Sequence, residues 1–134
     1  MVGIETLDFQ DDVTSWILDK TSIGLNKKIL IQSPTGSGKT IMMIDYIDNY
    51  LDNFSNTIFV WLTPGEGGLV RQSKEKMDKY CPNRKTKELS DILIGNFEEN
   101  DTVFINWEKL TKESNNLSDI EYDYYFKSII KKYI

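Results

Sequence analysis

The most constraining part of this sequence is residues 29–47, ILIQSPTGSGKTIMMIDYI, where an apolar run passes through a glycine-containing loop into a helical pattern. The run KKILIQ, which ends at Gln32, is short and apolar, as is typical of a buried parallel strand. A helix is predicted from about residue 38 to residue 53, with an apolar face formed by Ile41, Ile44, Ile47, Tyr50 and Leu51. A strand, a loop and a helix in this order favour an α/β fold.

The loop GSGKT, residues 36–40, has the composition of a phosphate-binding loop. Glycines let the backbone turn so that successive N–H groups point at phosphate oxygens, and the following helix adds its positive N-terminal end. Lys39 can then reach the β- and γ-phosphates of a nucleotide, while the hydroxyl of Thr40 can bind Mg²⁺.

The match to the full pattern, G-x-x-x-x-G-K-[ST], is incomplete because Ser33 replaces the first glycine. The alternative interpretation is an ordinary turn built from small residues. We favour phosphate binding, since the loop follows a predicted strand and opens a predicted helix. The expected contacts of the nucleotide are Ser33, Pro34, Thr35, Gly36, Ser37, Gly38, Lys39 and Thr40.

The segments around the loop continue the alternation of helices and strands. Apolar residues at helical spacing predict a helix over residues 9–19, with Asp8 as its N-cap. NTIFVWLTP predicts a strand that ends at Pro64, and GLVRQSKEKMDKYCP predicts a helix that ends at Pro82. Together these units predict a partial parallel sheet with helices on both faces, whose ligands bind at the carboxyl ends of the strands.

The second half of the chain is predicted to hold two more strands. The polar stretch NRKTKELSD is interpreted as a loop, and a short strand is expected at residues 92–94. DTVFINW, which begins at Asp101, predicts a further strand. A helix is expected over residues 118–134, although the tyrosines there are poor helix formers.

Composition excludes several kinds of function. The sequence contains no histidine, which removes histidine metal sites and Ser-His or Cys-His nucleophiles. One cysteine, Cys81, cannot form an internal disulfide, so we expect a reducing compartment and an inert thiol. The net charge of -5 argues against a broadly basic nucleic-acid surface but leaves room for a local groove. The start does not resemble a signal peptide and the apolar run at residues 58–62 is too short to cross a bilayer, so we expect a cytoplasmic protein without membrane contact.

SPTGSGKT, preceded by DFQ, resembles motif one and the upstream glutamine of superfamily two helicases and translocases. TPGEGGLVRQ and FINWEKL resemble the restriction subunit of type III restriction enzymes, and the resemblance runs from Leu7 to Leu110. It implies a RecA-like P-loop NTPase fold and an ATP-dependent DNA helicase or translocase that uses ATP and Mg²⁺. Lys39 and Thr40 would be the reaction-centre residues, and a modification subunit would be a possible partner.

The resemblance also implies roles for single residues. The upstream glutamine of such helicases contacts adenine, and Gln10 occupies that place; its amide can pair with adenine, whereas the alternative is a side chain that faces solvent. LTPGEGGL resembles motif Ia, which touches the nucleic-acid backbone, so Thr63, Pro64 and Gly65 are expected to contact phosphates. The alternative is a tight βα loop without ligand.

Asn106 and Trp107 resemble the asparagine-tryptophan pair of the restriction-subunit family, and Asn106 is expected at the nucleic-acid contact. An exposed Trp107 could stack on a base, but the larger expectation is a core position because an indole buries much apolar area. Trp16 and Trp61 are assigned to the core.

Phosphoryl transfer in these motors also requires an Asp-Glu pair after a later apolar strand, for Mg²⁺ and the attacking water. Asp11-Asp12 lies in a predicted helix and Glu98-Glu99 in a predicted loop, so neither qualifies. We therefore expect residues 1–134 to be the N-terminal portion of the first motor lobe, truncated before that motif and nearly inactive alone. An unpaired sheet edge would favour self-association.

Two alternative functions stay open. A small-molecule or nucleoside kinase also begins with a strand, a phosphate loop and a helix, but it has no evident need for Gln10 or for the TPGEGG turn. A non-catalytic nucleotide-binding remnant would keep the loop without turnover.

Overall fold

The computed structural model of the protein describes residues 4–22, 28–65 and 68–108, and the helix expected at 118–134 lies outside them. The elements in the described part are α1 (Asp8–Thr21), α2 (Lys39–Asn53), β1 (Phe59–Thr63), α3 (Gly68–Tyr80), β2 (Lys85–Glu88), α4 (Leu89–Gly95) and β3 (Asp101–Asn106). The strands form one parallel sheet in the order β1-β3-β2. The predicted α/β fold with a parallel sheet is confirmed.

The central strand β3 is buried along its whole length because it has a strand on each side and a hydrophobic cluster on each face. Phe104 belongs to the larger cluster, together with residues of α1, α2 and α3. Val103 and Ile105 belong to the smaller cluster, which also contains Ile92 of α4. Successive side chains of a strand point to opposite faces of the sheet, so β3 contributes side chains to both clusters.

Helices α1 and α2 form as the apolar spacing predicts. Leu7, and not the expected Asp8, is the N-cap of α1, while Gly38 is the N-cap of α2. The side chains of α2 that are buried against the sheet and α1 are Met42, Ile44, Tyr46, Ile47 and Leu51. In the described part of the chain no helix has the length and apolar character needed to span a bilayer.

The run KKILIQ does not form the predicted strand in its described part, residues 28–32. Ile29 and Ile31 pack against the larger cluster, but Leu30 between them is 92% exposed. Strands require ladder partners, and the described sheet pairs β1, β3 and β2 only with one another. The apolar alternation is therefore satisfied by side-chain packing without a backbone ladder.

The segment interpreted as a loop, NRKTKELSD, instead contains β2 and the start of α4. Strand β2 is polar, and its burial depends on tertiary contacts: the ammonium of Lys87 lies 2.8 Å from the carboxylate of Asp101, which is fully buried at the start of β3. Such a pair cannot be seen in the local pattern, which is why the strand was missed.

The predicted strand at residues 92–94 is also wrong, because these residues lie in α4. The carboxylate of Asp91 accepts a hydrogen bond from the Glu88 backbone N–H at 2.8 Å, and this capping contact starts the helix. Ile92 is buried while Ile94 is exposed, so these two side chains lie in different environments on α4.

Of the two tryptophans assigned to the core, one agrees with the expectation and one does not. Trp61 is partly buried, with its ring centroid 5.2 Å from that of Phe104, in agreement with a core role. Trp16 on α1 is 49% exposed, so its assignment to the core is wrong. It occupies the outer face of a helix whose buried face is formed by Gln10, Thr14 and Ile17.

Candidate nucleotide-binding site

The loop before α2 turns on two glycines in the left-handed region. Gly36 and Gly38 both have φ of +82°, a conformation that costs other residues about 1–2 kcal/mol. The Ser37 N–H donates to the Pro34 carbonyl at 3.2 Å, and the Gly38 carbonyl accepts the first bond of α2, from Met42 N–H at 3.0 Å. The glycines thus let the chain enter the helix directly from a tight turn.

Lys39 and Thr40 are the first two residues of α2. The Lys39 side chain is exposed and forms no salt bridge with any residue that the structure describes. The first turn of α2 contains no acidic residue, so no carboxylate competes there for the positive end of the helix. This end of α2 has the charge and the free N–H groups that an anion requires.

Ser33, which replaces the first glycine of the pattern, contributes a contact that the sequence did not reveal. The Ser37 hydroxyl donates to the Ser33 hydroxyl oxygen at 2.9 Å, across the mouth of the loop. Since the Ser37 N–H also bonds to Pro34, two hydrogen bonds close the turn. The serine that departs from the pattern therefore adds a hydrogen bond that stabilises the loop.

Gln10 of α1 lies against the same loop. It is 7% exposed; its amide Nε2 donates to the Ser37 carbonyl at 2.9 Å and its Oε1 accepts from the Leu7 N–H at 2.9 Å. The solvent-facing alternative is therefore wrong. Gln10, Thr14 and Ile17 share one face of α1, so their spacing was a signal that this glutamine is buried.

The contact with Gln10 restricts Gly38 more tightly than its dihedral angle alone. A Cβ atom built on Gly38 would lie 2.3 Å from Gln10 Nε2, a distance that real side chains do not adopt. A Cβ on Gly36 would meet nothing within 4 Å. A Cβ at Gly38 would therefore strain the backbone and also displace the flexible amide end of Gln10, whereas a Cβ at Gly36 would only strain the backbone.

The packing of α1 on α2 holds Gln10 in place. The Thr14 hydroxyl donates to the Met42 carbonyl at 3.5 Å, and the Tyr46 hydroxyl donates to Thr21 Oγ1 at 2.9 Å. Asp45 is also partly buried at this interface. Its burial raises the pKa of the carboxyl above the ordinary value, and the charge of Asp11 adds to this effect, while a hydrogen bond from Thr14 opposes it.

A second group of predicted residues lies at the carboxyl ends of β1 and β3. Thr63 and Asn106 are register partners, and both side chains are buried. The Thr63 hydroxyl has no hydrogen-bond partner among the residues that the structure describes, whereas the Asn106 amide donates to the Gly65 carbonyl. Gly65 has φ of +85° and Pro64 is exposed. The structure therefore brings all four expected nucleic-acid residues together at one sheet edge.

Trp107 follows this group and is 51% exposed, so the core interpretation is wrong.

Cys81 is buried, and burial raises the pKa of its thiol to about 11, in agreement with an inert residue. Glu98 pairs with Lys85 and Lys87, whose hydrogen bond and charge lower its pKa. In the part of the chain that the structure describes, no cluster of histidine, cysteine and carboxylate residues is able to hold a metal alone.

The sequence model of the family described as type III restriction enzyme, res subunit, matches residues 4–131. This chain belongs to that family. The match covers Gln10, the phosphate loop and Asn106, so the resemblance seen in the motifs is confirmed. The Res family has a P-loop RecA-like domain, and the Res chain described here carries its helicase-like ATP-binding part. No curated protein and no solved structure gave a match.

Proposed function

We propose that this Res chain binds ATP with Mg²⁺ through the loop of residues 33–40, as part of an ATP-dependent DNA helicase or translocase. The observation that carries the proposal is the pair of left-handed glycines at the start of α2, beside a lysine without a salt bridge in the described residues. Such a loop presents N–H groups and one ammonium to a triphosphate.

The residues present also fit a magnesium ion. Mg²⁺ in nucleotide sites is usually held by one or two carboxylates, by phosphates and by water, so the Thr40 hydroxyl would be the donor from this loop and the Asp-Glu motif would have to supply the carboxylate. When bound, the ion neutralises charge that develops on the phosphates. Lys39 stabilises the β- and γ-phosphates, and the loop N–H groups orient them.

Gln10 is proposed to contact adenine while it holds the loop. A side-chain amide offers two N–H donors and two acceptor positions. One donor bonds to Ser37 and one acceptor position to Leu7, so one of each remains. A donor and an acceptor on one amide are what the N7 and N6 of adenine require.

For nucleic acid, the proposed contact lies at the carboxyl-end edge of the sheet, where Thr63, Pro64, Gly65 and Asn106 come together. Loop backbone and hydroxyl groups there suit phosphate contacts without sequence preference. The net charge of -5 is compatible with a local contact of this kind. The nucleic acid proposed to bind here is DNA. A modification subunit is proposed as a protein partner of the complete enzyme.

Residues 1–134 are proposed to be the N-terminal portion of the first motor lobe, which requires an Asp-Glu motif elsewhere for turnover. Strand β1 is an edge of the described sheet, and a groove of about 290 Å³ runs beside it, lined by Met43 and Ile47 of α2 and by residues 59–62. We propose self-association through this edge, because unpaired strand edges recruit other strands.

The test of nucleotide binding is a titration with a fluorescent ATP analogue in the presence of Mg²⁺. Lys39→Ala should weaken binding more than about tenfold, since a charge-assisted contact is worth roughly 1.5–3 kcal/mol. Lys28→Ala is the matched control, because it removes an exposed lysine from outside the loop. Equal affinity of the Lys39→Ala and wild-type proteins would show that the loop does not bind phosphate.

Catalysis is tested on the complete natural protein. ATP hydrolysis stimulated by single- or double-stranded DNA would support the motor. Transfer of phosphate to a small acceptor would instead support the kinase. Nucleotide binding without either reaction would support the non-catalytic remnant.

A further inference from the structure

Asn106 was expected to contact nucleic acid, but both polar atoms of its side chain are engaged within the protein. Its Nδ2 donates to the carbonyl of Gly65, in the loop after β1. Its Oδ1 accepts from the backbone N–H of Glu108 at 2.8 Å, just after β3. The residue is only 5% exposed. The side chain therefore joins the loop after β1 to the loop after β3.

The loop after β1, which accepts the hydrogen bond from Asn106, has few other contacts that fix its conformation among the described residues. Gly65 adopts φ of +85°, and a glycine in this region gives the backbone little restraint of its own. The preceding residue, Pro64, is exposed, and within the described part of the chain the buried Thr63 hydroxyl has no hydrogen-bond partner. Among the contacts of the described residues, the bond from Asn106 is the one that fixes the direction of the Gly65 carbonyl.

We propose that Asn106 is a positioning residue, which holds the Thr63–Gly65 loop in the shape that contacts a nucleic-acid backbone and does not itself bind the strand. This inference rests on the proposed function, because that function assigns the loop to the strand. Contacts through backbone groups depend on loop shape, so a residue that fixes the shape controls the affinity.

Asn106→Asp removes one of the two hydrogen bonds of the side chain, the one to Gly65, and keeps the one from Glu108. A carboxylate still accepts the Glu108 N–H, but it has no proton to donate and places an oxygen against the Gly65 carbonyl. Asn106→Ala, which lacks both hydrogen bonds, is the second variant. Thr102→Val is the matched control, since it alters a fully buried hydroxyl near the opposite end of the same strand that has no hydrogen-bond partner among the described residues.

The experiment combines three measurements on the purified natural protein. Hydrogen exchange without DNA should become faster in Asn106→Asp for a peptide that covers β1 and Gly65, and should be unchanged in α1 and α2. Anisotropy with a fluorescein-labelled single-stranded oligonucleotide should show about tenfold weaker binding for Asn106→Ala, which loses the hydrogen bond to Gly65 without adding a negative charge beside the strand. Affinity for the fluorescent ATP analogue should stay unchanged. Thr102→Val should match wild type in all three.

Each contrary outcome is informative. Weaker DNA binding with unchanged exchange at Gly65 would mean that Asn106 contacts the strand directly, which overturns the proposal. Faster exchange with unchanged DNA affinity would also overturn it, because the loop shape would then not matter to the strand. Faster exchange in every helix would indicate a general structural role. A wild-type protein that does not bind the oligonucleotide would contradict the proposed function itself.

Discussion

Gly38→Ala should destabilise the protein by more than its backbone conformation explains. An alanine at φ of +82° costs about 1–2 kcal/mol. The new Cβ would also lie 2.3 Å from Gln10 Nε2, so the glutamine must move and lose its hydrogen bond to Ser37. One such bond is worth about 1 kcal/mol. The expected total is roughly 2–3 kcal/mol of unfolding free energy.

Gly36→Ala is the matched control because Gly36 has the same φ of +82° and open space around the position of the added Cβ. It should cost only the backbone term, about 1–2 kcal/mol. The difference of about 1 kcal/mol corresponds to roughly 3–4 °C in melting temperature for a domain of this size. Thermal unfolding without nucleotide measures both variants, so that effects on phosphate binding do not enter.

A double-mutant cycle isolates the contact. In a Gln10→Ala protein the added methyl group has no amide to displace, so the cost of Gly38→Ala should fall to that of Gly36→Ala. If Gly38→Ala costs no more than Gly36→Ala, or if its cost is the same with and without Gln10, then the glutamine does not lie against the phosphate loop as described.

Three further predictions concern single side chains. Asp45→Asn should raise the melting temperature at pH 7. The pKa of Asp45 in the folded protein lies above the ordinary value of 3.8, so the ionised carboxylate destabilises the folded state at neutral pH. Below pH 3.8 the carboxyl is protonated in both the folded and the unfolded protein, so the gain in melting temperature should disappear there. Leu62→Lys places a charge on the exposed edge of β1 and should reduce self-association in sedimentation velocity, whereas Leu30→Lys, also exposed but outside the strands, should not. Gln10→Glu should weaken binding of the ATP analogue more than Gln10→Ala does, because it removes the donor to Ser37 and adds a negative charge beside the phosphates; equal affinities would contradict this.

Periodic apolar residues made most of the fold predictable. Helices α1, α2 and α3 and strands β1 and β3 all carry a buried face that is visible in their own residues. Strand β2 was missed because its burial depends on the pairing of Lys87 with Asp101 of another strand. The run KKILIQ shows the opposite case, since its apolar residues Ile29 and Ile31 pack against the larger cluster without any strand ladder in the described part of the run.

The candidate site was predictable in its residue types but not in its contacts. The glycines and Lys39 follow from the chemistry of phosphate binding, which leaves a local signature. The bonds from Gln10 to Ser37 and from Asn106 to Gly65 join residues 27 and 41 positions apart, so they depend on how α1 packs on α2 and how β1 pairs with β3. Contacts of this range follow from the tertiary structure and leave no mark on neighbouring residues.

Gln10 and Asn106 use their amides in the same way. Each donates through nitrogen to a carbonyl in a glycine-containing loop, and each accepts through oxygen from a backbone N–H near its own position. A carboxylate has no proton to donate at neutral pH and would repel phosphate, while a lysine or arginine has no acceptor. A neutral amide meets both needs, through two separate atoms, beside loops proposed to bind anions. The two residues therefore fix the proposed nucleotide loop and the proposed nucleic-acid loop without adding charge to either.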